Sequence, residues 1–94
     1  MRRVRWSGKA IRDLLELKDE LSEIDPGVAR IVLARIDRAA CWLAENPKAV
    51  PATGYRDWRK LVVKRTSRVI VYRPEPSGIV VLHIHHARSD WTKG

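Results

Sequence analysis

The chain has 94 residues and carries 19 Lys and Arg against 11 Asp and Glu, a formal net charge of +8 at pH 7. This length predicts a single domain, 1–94, with one core. The one cysteine, Cys41, excludes an internal disulfide and a cysteine-rich zinc scaffold. No apolar run approaches the ~18 residues of a membrane helix, and residues 1–6 lack the apolar stretch of a secretory signal. The sequence therefore predicts a cytoplasmic protein that needs no membrane, metal or cofactor.

A short strand and two helices are predicted in the first half of the chain. Residues 3–6 alternate polar and apolar, as a strand does, and Ser7 is a good helix N-cap. The apolar spacing then becomes helical and stays so to Ile24. Asp25-Pro26 combines an N-cap with the residue best suited to a first helical position, and Asn46-Pro47 ends the second helix. We expect the two helices to form a hairpin.

Three strands are predicted in the second half. Residues 47–57 hold two prolines and Gly54 without a clear period, which indicates a loop. The β-rich runs 58–64, 68–73 and 79–85 follow it, separated by turn-forming residues. The predicted fold is α+β with the order β-α-α-β-β-β, in which the helix hairpin packs on one face of a small antiparallel sheet.

Period-two alternation assigns the strand side chains to two faces. The face against the helices is predicted to carry Leu61, Val63, Val80, Leu82 and Ile84. The open face is predicted to carry Lys60, Val62, Lys64, Ile79, Val81, His83 and His85. Alternation in 68–73 fits either assignment. Since residues 47–94 hold ten Lys and Arg against three Asp and Glu, the open face should mix basic and apolar groups and suit a polyanion or an acidic protein segment.

Several conspicuous residues have ordinary structural explanations. With no Phe in the chain, Trp6, Trp42 and Trp58 are expected to supply aromatic bulk to the core, and Cys41 is expected to be a small core residue. The histidines near residue 85 are expected to be strand-end residues with satisfied hydrogen bonds. His83 and His85 share a predicted face, but a histidine pair without a nearby carboxylate is a poor metal site.

The order of several short motifs resembles the RelE/ParE superfamily of bacterial type II toxins, over nearly the whole chain. These motifs are Val4-Arg5-Trp6-Ser7, Leu43-Ala44-Glu45-Asn46-Pro47, Arg59-Lys60-Leu61-Val62-Val63, Val69-Ile70-Val71-Tyr72-Arg73 and the ending 83–91, which includes His85-His86-Ala87-Arg88 and Trp91. The resemblance implies a helix hairpin on a curved antiparallel sheet. It also implies growth arrest, a role in plasmid stabilisation and a cognate antitoxin that wraps the toxin.

The superfamily has two branches on the same scaffold. The RelE-like branch cuts messenger RNA on the ribosome with basic residues, and here Lys60, Arg68, His85 and Arg88 are its catalytic candidates. Val62 is apolar where that branch has a second lysine, and no tyrosine follows Arg88. The sequence therefore favours the ParE-like branch, which is associated with inhibition of DNA gyrase.

Whether the chain is an enzyme depends on that choice of branch. A basic nucleic-acid-binding module is a further alternative, although only Tyr72 in the strands could act as a stacking ring. The residues expected to bind the target or the antitoxin are Lys60, Val62, Lys64, Arg68, Tyr72, His83, His85, His86, Arg88 and Trp91.

Overall fold

The computed structural model describes residues 2–88. Its six elements follow the predicted order and confirm the α+β class. They are β1 (Arg3–Trp6), α1 (Gly8–Ile24), α2 (Pro26–Glu45), β2 (Arg59–Val63), β3 (Arg68–Glu75) and β4 (Gly78–His86).

The helix boundaries lie where the capping residues predict them. The Ser7 hydroxyl accepts a hydrogen bond from the Ala10 N–H at 3.0 Å, and the Asp25 carboxylate accepts one from the Gly27 N–H at 2.8 Å. Pro26 is the first residue of α2 and has no N–H to satisfy. Each cap accepts a hydrogen bond from a first-turn N–H that has no acceptor within the helix, so the capping residues determine where each helix begins.

The four strands form one sheet in the order β1-β4-β3-β2. The β2–β3 and β3–β4 pairs are antiparallel hairpins, as predicted. β1 pairs with β4 in parallel, so the sheet is mixed and not wholly antiparallel. No tight turn joins β1 to its neighbour β4, because both helices and two strands come between them along the chain. The geometry that forces antiparallel pairing is therefore absent there.

A β-bulge in β4 reverses part of the predicted face assignment. The register of β3 with β4 shifts by one residue between Val71 and Tyr72, which leaves Leu82 as an extra residue. A one-residue slip moves every side chain beyond it to the other face. Ile79 and Val81 therefore lie fully buried in the core, and their predicted place on the open face is wrong.

The same bulge changes the position of two residues predicted to face the helices. Val80 lies on the side of the sheet away from the helices and is buried there, while Leu82 is half-buried outside the main core. The predictions for Leu61, Val63 and Ile84 are confirmed, since all three lie in or against the core under the helices.

The core fills the space between the helix hairpin and the sheet. Its buried members are Ala10, Leu17, Val32, Ile36, Ala40, Leu43, Ala44, Val63, Ile70, Tyr72, Ile79, Val81 and Ile84. The Tyr72 hydroxyl donates a hydrogen bond to the Pro47 carbonyl at 2.8 Å. Burial raises the pKa of Tyr72, and the nearby Arg59 charge opposes that rise. This buried ring therefore stays protonated and ties the start of the loop to the sheet.

Two residues predicted to be core are at the surface. Trp42 is 49% exposed, and Cys41 is an exposed free thiol. The buried stripe of α2 runs through Val32, Ile36, Ala40 and Leu43, and the two residues lie to one side of it. Trp6 and Trp58 are half-buried; of the two, Trp6 packs against the core.

α1 covers the edge of β4 beyond the end of β1. The Ser7 hydroxyl donates to the Leu82 carbonyl at 2.6 Å, and Asp13 Oδ2 accepts from the Ile84 N–H at 2.9 Å. Lys9 forms an ion pair with Asp13 at 3.2 Å. The side chains of the N-cap Ser7 and of Asp13 in α1 thus take the place of a neighbouring strand and satisfy backbone groups of the bulged segment.

We expect Asp13→Ala to lower the free energy of unfolding by about 1–3 kcal/mol, because it leaves the buried Ile84 N–H without its acceptor. Asp13→Asn keeps an oxygen acceptor and should lose less. Urea unfolding of the three proteins measures both effects. An Asp13→Ala variant as stable as the parent would contradict this role.

Candidate functional site

The face of the sheet turned away from the helices carries cationic and imidazole side chains. Strand register places Lys60, Val71 and His83 in one row across β2, β3 and β4. Arg5 and Arg73 lie in the next row. This confirms that Lys60 and His83 lie on the side predicted for them, which we call the open face. The prediction that this side is open is wrong at its centre, where Val69, Val71, Val80 and His83 are buried.

Charge on the open face is partly paired. Glu75 Oε1 lies 3.1 Å from Arg5 Nη1 and 3.9 Å from Arg73 Nη2. One carboxylate thus serves two guanidinium groups, while Lys60 is exposed in the neighbouring row. The described part of the open face therefore keeps a net positive character.

His83 is a buried, neutral group. It is 8% exposed, and its ring centroid lies 5.5 Å from that of His85. Burial lowers the pKa of His83 below its ordinary 6.5, His85 and Lys9 lower it further, and Asp13 opposes the shift. At neutral pH His83 therefore carries no charge with which to hold a phosphate.

The end of β4 is ordered by its own histidines. The His85 Nδ1 and the His86 carbonyl oxygen are 2.7 Å apart, and the Arg88 N–H donates to His86 Nδ1 at 3.1 Å. The Arg88 side chain is exposed just past the strand. These contacts hold the backbone at Arg88 and leave its guanidinium in solvent.

The four ribonuclease candidates are divided between the two faces of the sheet. Lys60 and His85 lie on the open face, whereas Arg68 lies directly opposite His86 on the helix side. Arg68 Nη2 is 3.8 Å from Glu20 Oε2 of α1. Alternation along β3 separates Arg68 from Lys60, which lies on the other side of the sheet. Arg68 and His85, together with His86, do line one cavity of about 210 Å³ beside α1.

The predicted binding residues differ widely in exposure. Lys60, Val62, Lys64, His86 and Arg88 are exposed, Arg68 and His85 are half-buried, and His83 and Tyr72 are buried. The prediction that Tyr72 binds a partner is wrong, because its ring fills the core and offers no surface to a partner. Trp91 lies outside the described residues.

A groove lies between α2 and the outer edge of β2. It has a volume of about 450 Å³ and is lined by Arg35, Arg38, Ala39, Trp42, Leu61, Val62, Val63 and Lys64. We call it the α2–β2 groove. Val62 and Trp42 are 57% and 49% exposed, so the groove presents large apolar groups between basic ones. Among residues 2–88, the outer edge of β2 is bridged only at Arg59, by Ala52.

Val62 and Lys64, on the β2 side of this groove, were predicted to bind a partner, whereas no residue on the α2 side was. Val28 and Ile31 are exposed apolar residues, and Arg35, Arg38 and Trp42 continue at spacings of three or four residues. That spacing marks one stripe of a helix. This second stripe lies beside the core stripe of α2, and it is the feature of the sequence that could have predicted the α2 side of the groove.

An aromatic and cationic cluster lies in the loop before β2. The rings of Tyr55 and Trp58 meet edge to face, with centroids 5.0 Å apart. The Arg56 guanidinium carbon lies 5.3 Å from the Tyr55 centroid and 5.8 Å from that of Trp58. The cluster was not predicted, because a loop has no periodicity from which the positions of its side chains could be inferred.

Two kinds of site are not found in the described structure. Within residues 2–88, no group of three or more His, Cys, Asp or Glu is arranged to hold a metal ion. In the same range, neither helix is long and apolar enough to cross a lipid bilayer.

Comparison with known proteins identifies the family. A model described as the ParE toxin of the type II toxin–antitoxin system parDE matches residues 4–91. The "Putative toxin Y4kP" of Sinorhizobium fredii is 32% identical over 90 residues, which cover 96% of this chain and 93% of that protein. The structure titled "Chromosomal ParDE TA system from P. aeruginosa" shares the fold, with a TM-score of 0.77 and 24% identity over 92% of this chain and 96% of that one. The chain belongs to the ParE toxin family of type II toxin–antitoxin systems.

Proposed function

We propose that this chain arrests growth by inhibiting DNA gyrase and that a cognate antitoxin neutralises it. The observation that supports the proposal is the separation of two ribonuclease candidates, Lys60 and Arg68, which lie on opposite faces of the sheet. RNA cleavage through the 2′-hydroxyl needs a base, an acid and a cation aligned on one phosphate. With Arg68 on the helix side beside Glu20, and with His83 buried where a phosphate cannot reach it, the candidates are not aligned on one phosphate, which favours binding over chemistry.

Membership of the ParE family supports the same choice of target. The sequence also departs from the ribonuclease branch at Val62, which is exposed and apolar in the structure. An exposed valine adds contact area to a protein interface and contributes nothing to proton transfer. A ribosome-dependent messenger RNA endonuclease is the alternative function.

The α2–β2 groove suits an antitoxin segment of defined chemistry. Its lining supplies three positive groups, Arg35, Arg38 and Lys64, and no negative one. Apolar side chains form the surface between them. An acidic, amphipathic segment that orders on contact would bury its apolar side there and place its carboxylates beside the cations. We therefore assign neutralisation to this groove and target binding to the open face and Arg88.

Arg88→Ala is expected to weaken growth arrest and leave the fold intact. The side chain is exposed, and the substitution keeps the backbone N–H that bonds to His86, so stability should change by no more than about 0.5 kcal/mol. Growth after induction at matched expression measures the first effect, and thermal unfolding measures the second. Arg30→Ala removes another exposed arginine, which lies on α2 outside the groove, and serves as the control. Full growth arrest by the Arg88 variant would remove this residue from the site.

The target can be tested in cells by the response to induced toxin. Gyrase inhibition should induce the DNA-damage response and leave messenger RNA uncut. If the toxin instead cleaves messages inside translating ribosomes, and Arg88→Ala abolishes that cleavage, the endonuclease alternative is favoured and gyrase inhibition is rejected as the function.

A further inference from the structure

We infer that the end of the sheet formed by the β2–β3 turn and Arg88 binds the phosphate backbone of duplex DNA. Its cations are Lys64, Arg65 and Arg88, and we call it the basic tip. The inference goes beyond the proposed function, because it rests on the tip alone and needs neither gyrase nor an antitoxin.

Strand pairing brings the three cations to one end of the sheet. Arg68 of β3 pairs with Val63 of β2 on one side and with His86 of β4 on the other. The turn between β2 and β3 and the residues that follow β4 therefore leave the sheet at the same end. The Ser67 carbonyl oxygen accepts a hydrogen bond from the Ala87 N–H at 2.8 Å, which ties the two segments together.

The cations of the basic tip are exposed and keep their charge. Lys64, Arg65 and Arg88 all have exposed side chains. None of them takes part in an ion pair with a carboxylate of residues 2–88, whereas the neighbouring Arg68 lies 3.8 Å from Glu20. The described part of this end of the sheet therefore presents three positive charges to a partner.

The turn holds Arg65 in a backbone conformation that arginine rarely adopts. The φ angles of Arg65 and Ser67 are 62° and 56°, in the left-handed region where glycine is favoured. The Thr66 hydroxyl donates to the Val63 carbonyl at 2.8 Å and accepts from the Arg68 N–H at 3.1 Å, so side-chain bonds maintain the turn. A charged residue kept where glycine would be less strained points to a role for its charge outside the fold.

The chemistry of the basic tip fits phosphates better than a protein surface or a single strand. Segments 64–68 and 86–88 contain no Trp, Tyr, Phe, Leu, Ile, Val or Met. Protein interfaces depend on such side chains as buried anchors, and single strands stack on aromatic rings. Arg, Lys and Ser are side chains that proteins place on phosphate oxygens. Duplex DNA carries one negative charge per ~1.7 Å of its axis, so clustered cations can contact several phosphates at once.

The basic tip adjoins both surfaces that the proposed function uses. Arg88 is shared with the target-binding site, and Lys64 also lines the α2–β2 groove. Since gyrase acts on duplex DNA, a toxin that holds DNA phosphates would be placed beside its proposed target. An antitoxin segment in the groove would compete with DNA for Lys64.

The salt dependence of duplex DNA binding tests the inference on the intact chain. Fluorescence anisotropy compares a labelled duplex of about 20 base pairs with a single strand of equal length, between about 50 and 200 mM salt. The logarithm of the association constant should fall with the logarithm of salt concentration with a slope of about −2.7 or steeper, because three phosphates contribute about −0.9 each. The duplex should bind more tightly than the single strand. Tighter binding of the single strand, or a slope that corresponds to fewer than three phosphates, would overturn the inference.

Two glycine variants of the turn separate its charge from its fold. Arg65→Gly and Ser67→Gly each place glycine at a positive φ, where relief of strain offsets the added freedom of the unfolded chain. Both variants should therefore melt at or above the temperature of the parent. Arg65→Gly removes one cation and should make the slope shallower by about 0.9, whereas Ser67→Gly, the matched control, should leave the slope unchanged. Equal slopes for the two variants would reject the basic tip.

Two arginine variants test whether binding is confined to this end of the sheet. Arg88→Ala should also make the slope shallower by about 0.9, and Arg30→Ala, which removes an exposed arginine of α2, should not change it. Equal losses in the two variants would show that DNA binds the basic surface at large and would contradict the inference.

Discussion

Gly78→Ala is expected to lower the free energy of unfolding by about 3 kcal/mol or more. Gly78 has a φ of 149° and pairs directly with Arg3 of β1. A Cβ at this position would lie 1.9 Å from the Arg3 carbonyl oxygen, 2.7 Å from its nitrogen and 2.8 Å from its carbonyl carbon. These are backbone atoms, which no rotamer change can move aside. The substitution should therefore separate β1 from β4.

Gly8→Ala provides the control for this prediction. Its Cβ would meet only the end of the flexible Arg12 side chain, at 3.7 Å. Gly8 is also the first residue of α1, where alanine favours the helix by up to about 1 kcal/mol. Urea unfolding should show this variant to be equal to the parent or more stable. A loss of less than about 1 kcal/mol in Gly78→Ala would contradict the close approach of β1 and β4.

Trp42→Ala is expected to weaken antitoxin binding roughly 30-fold and to leave the isolated toxin folded. Trp42 is 49% exposed beside Val62 in the α2–β2 groove, so its truncation should cost the free chain little stability. In a complex that fills the groove it becomes a buried aromatic anchor, and such anchors commonly contribute 2 kcal/mol or more, about the stated factor. Titration calorimetry with the cognate antitoxin measures the change.

Ile24→Ala is the matched control for the groove. It truncates another exposed apolar side chain, 78% exposed at the hairpin tip and outside the groove lining. Its effect on antitoxin affinity should stay within about threefold, less than 1 kcal/mol. Equal effects of the two variants would place the antitoxin elsewhere on the toxin.

The elements with local signals were predictable from the sequence. Ser7 and Asp25-Pro26 mark the helix starts because capping depends on residues within one turn. The hairpin turns around β3 were predictable for the same reason. The placement of Leu61 and Val63 toward the helices followed from alternation in a strand without irregularity.

The face assignment of β4 was not predictable, because a distant element supports its bulge. The Ser7 hydroxyl bonds to the Leu82 carbonyl and Asp13 bonds to the Ile84 N–H, 75 and 71 positions apart in sequence. No pattern within β4 reports contacts made by α1. Ile79 and Val81 were therefore assigned to the wrong face by a rule that holds for a regular strand.

The candidate site was only partly predictable for a related reason. Lys60 and Val62 were predicted because strand alternation places them, and Arg88 was predicted from the resemblance to the superfamily, which has an arginine just past the last strand. The α2 half of the groove combines a helix face with a strand edge, and the Tyr55 cluster depends on the loop backbone. Both arise from tertiary arrangement, which periodicity does not encode.

Inhibition of purified DNA gyrase is the measurement that tests the central claim most directly. We expect the toxin to inhibit supercoiling of relaxed plasmid, Arg88→Ala to reduce the inhibition, and equimolar antitoxin to abolish it. Supercoiling that proceeds unchanged at toxin concentrations that cleave messenger RNA on translating ribosomes would contradict it.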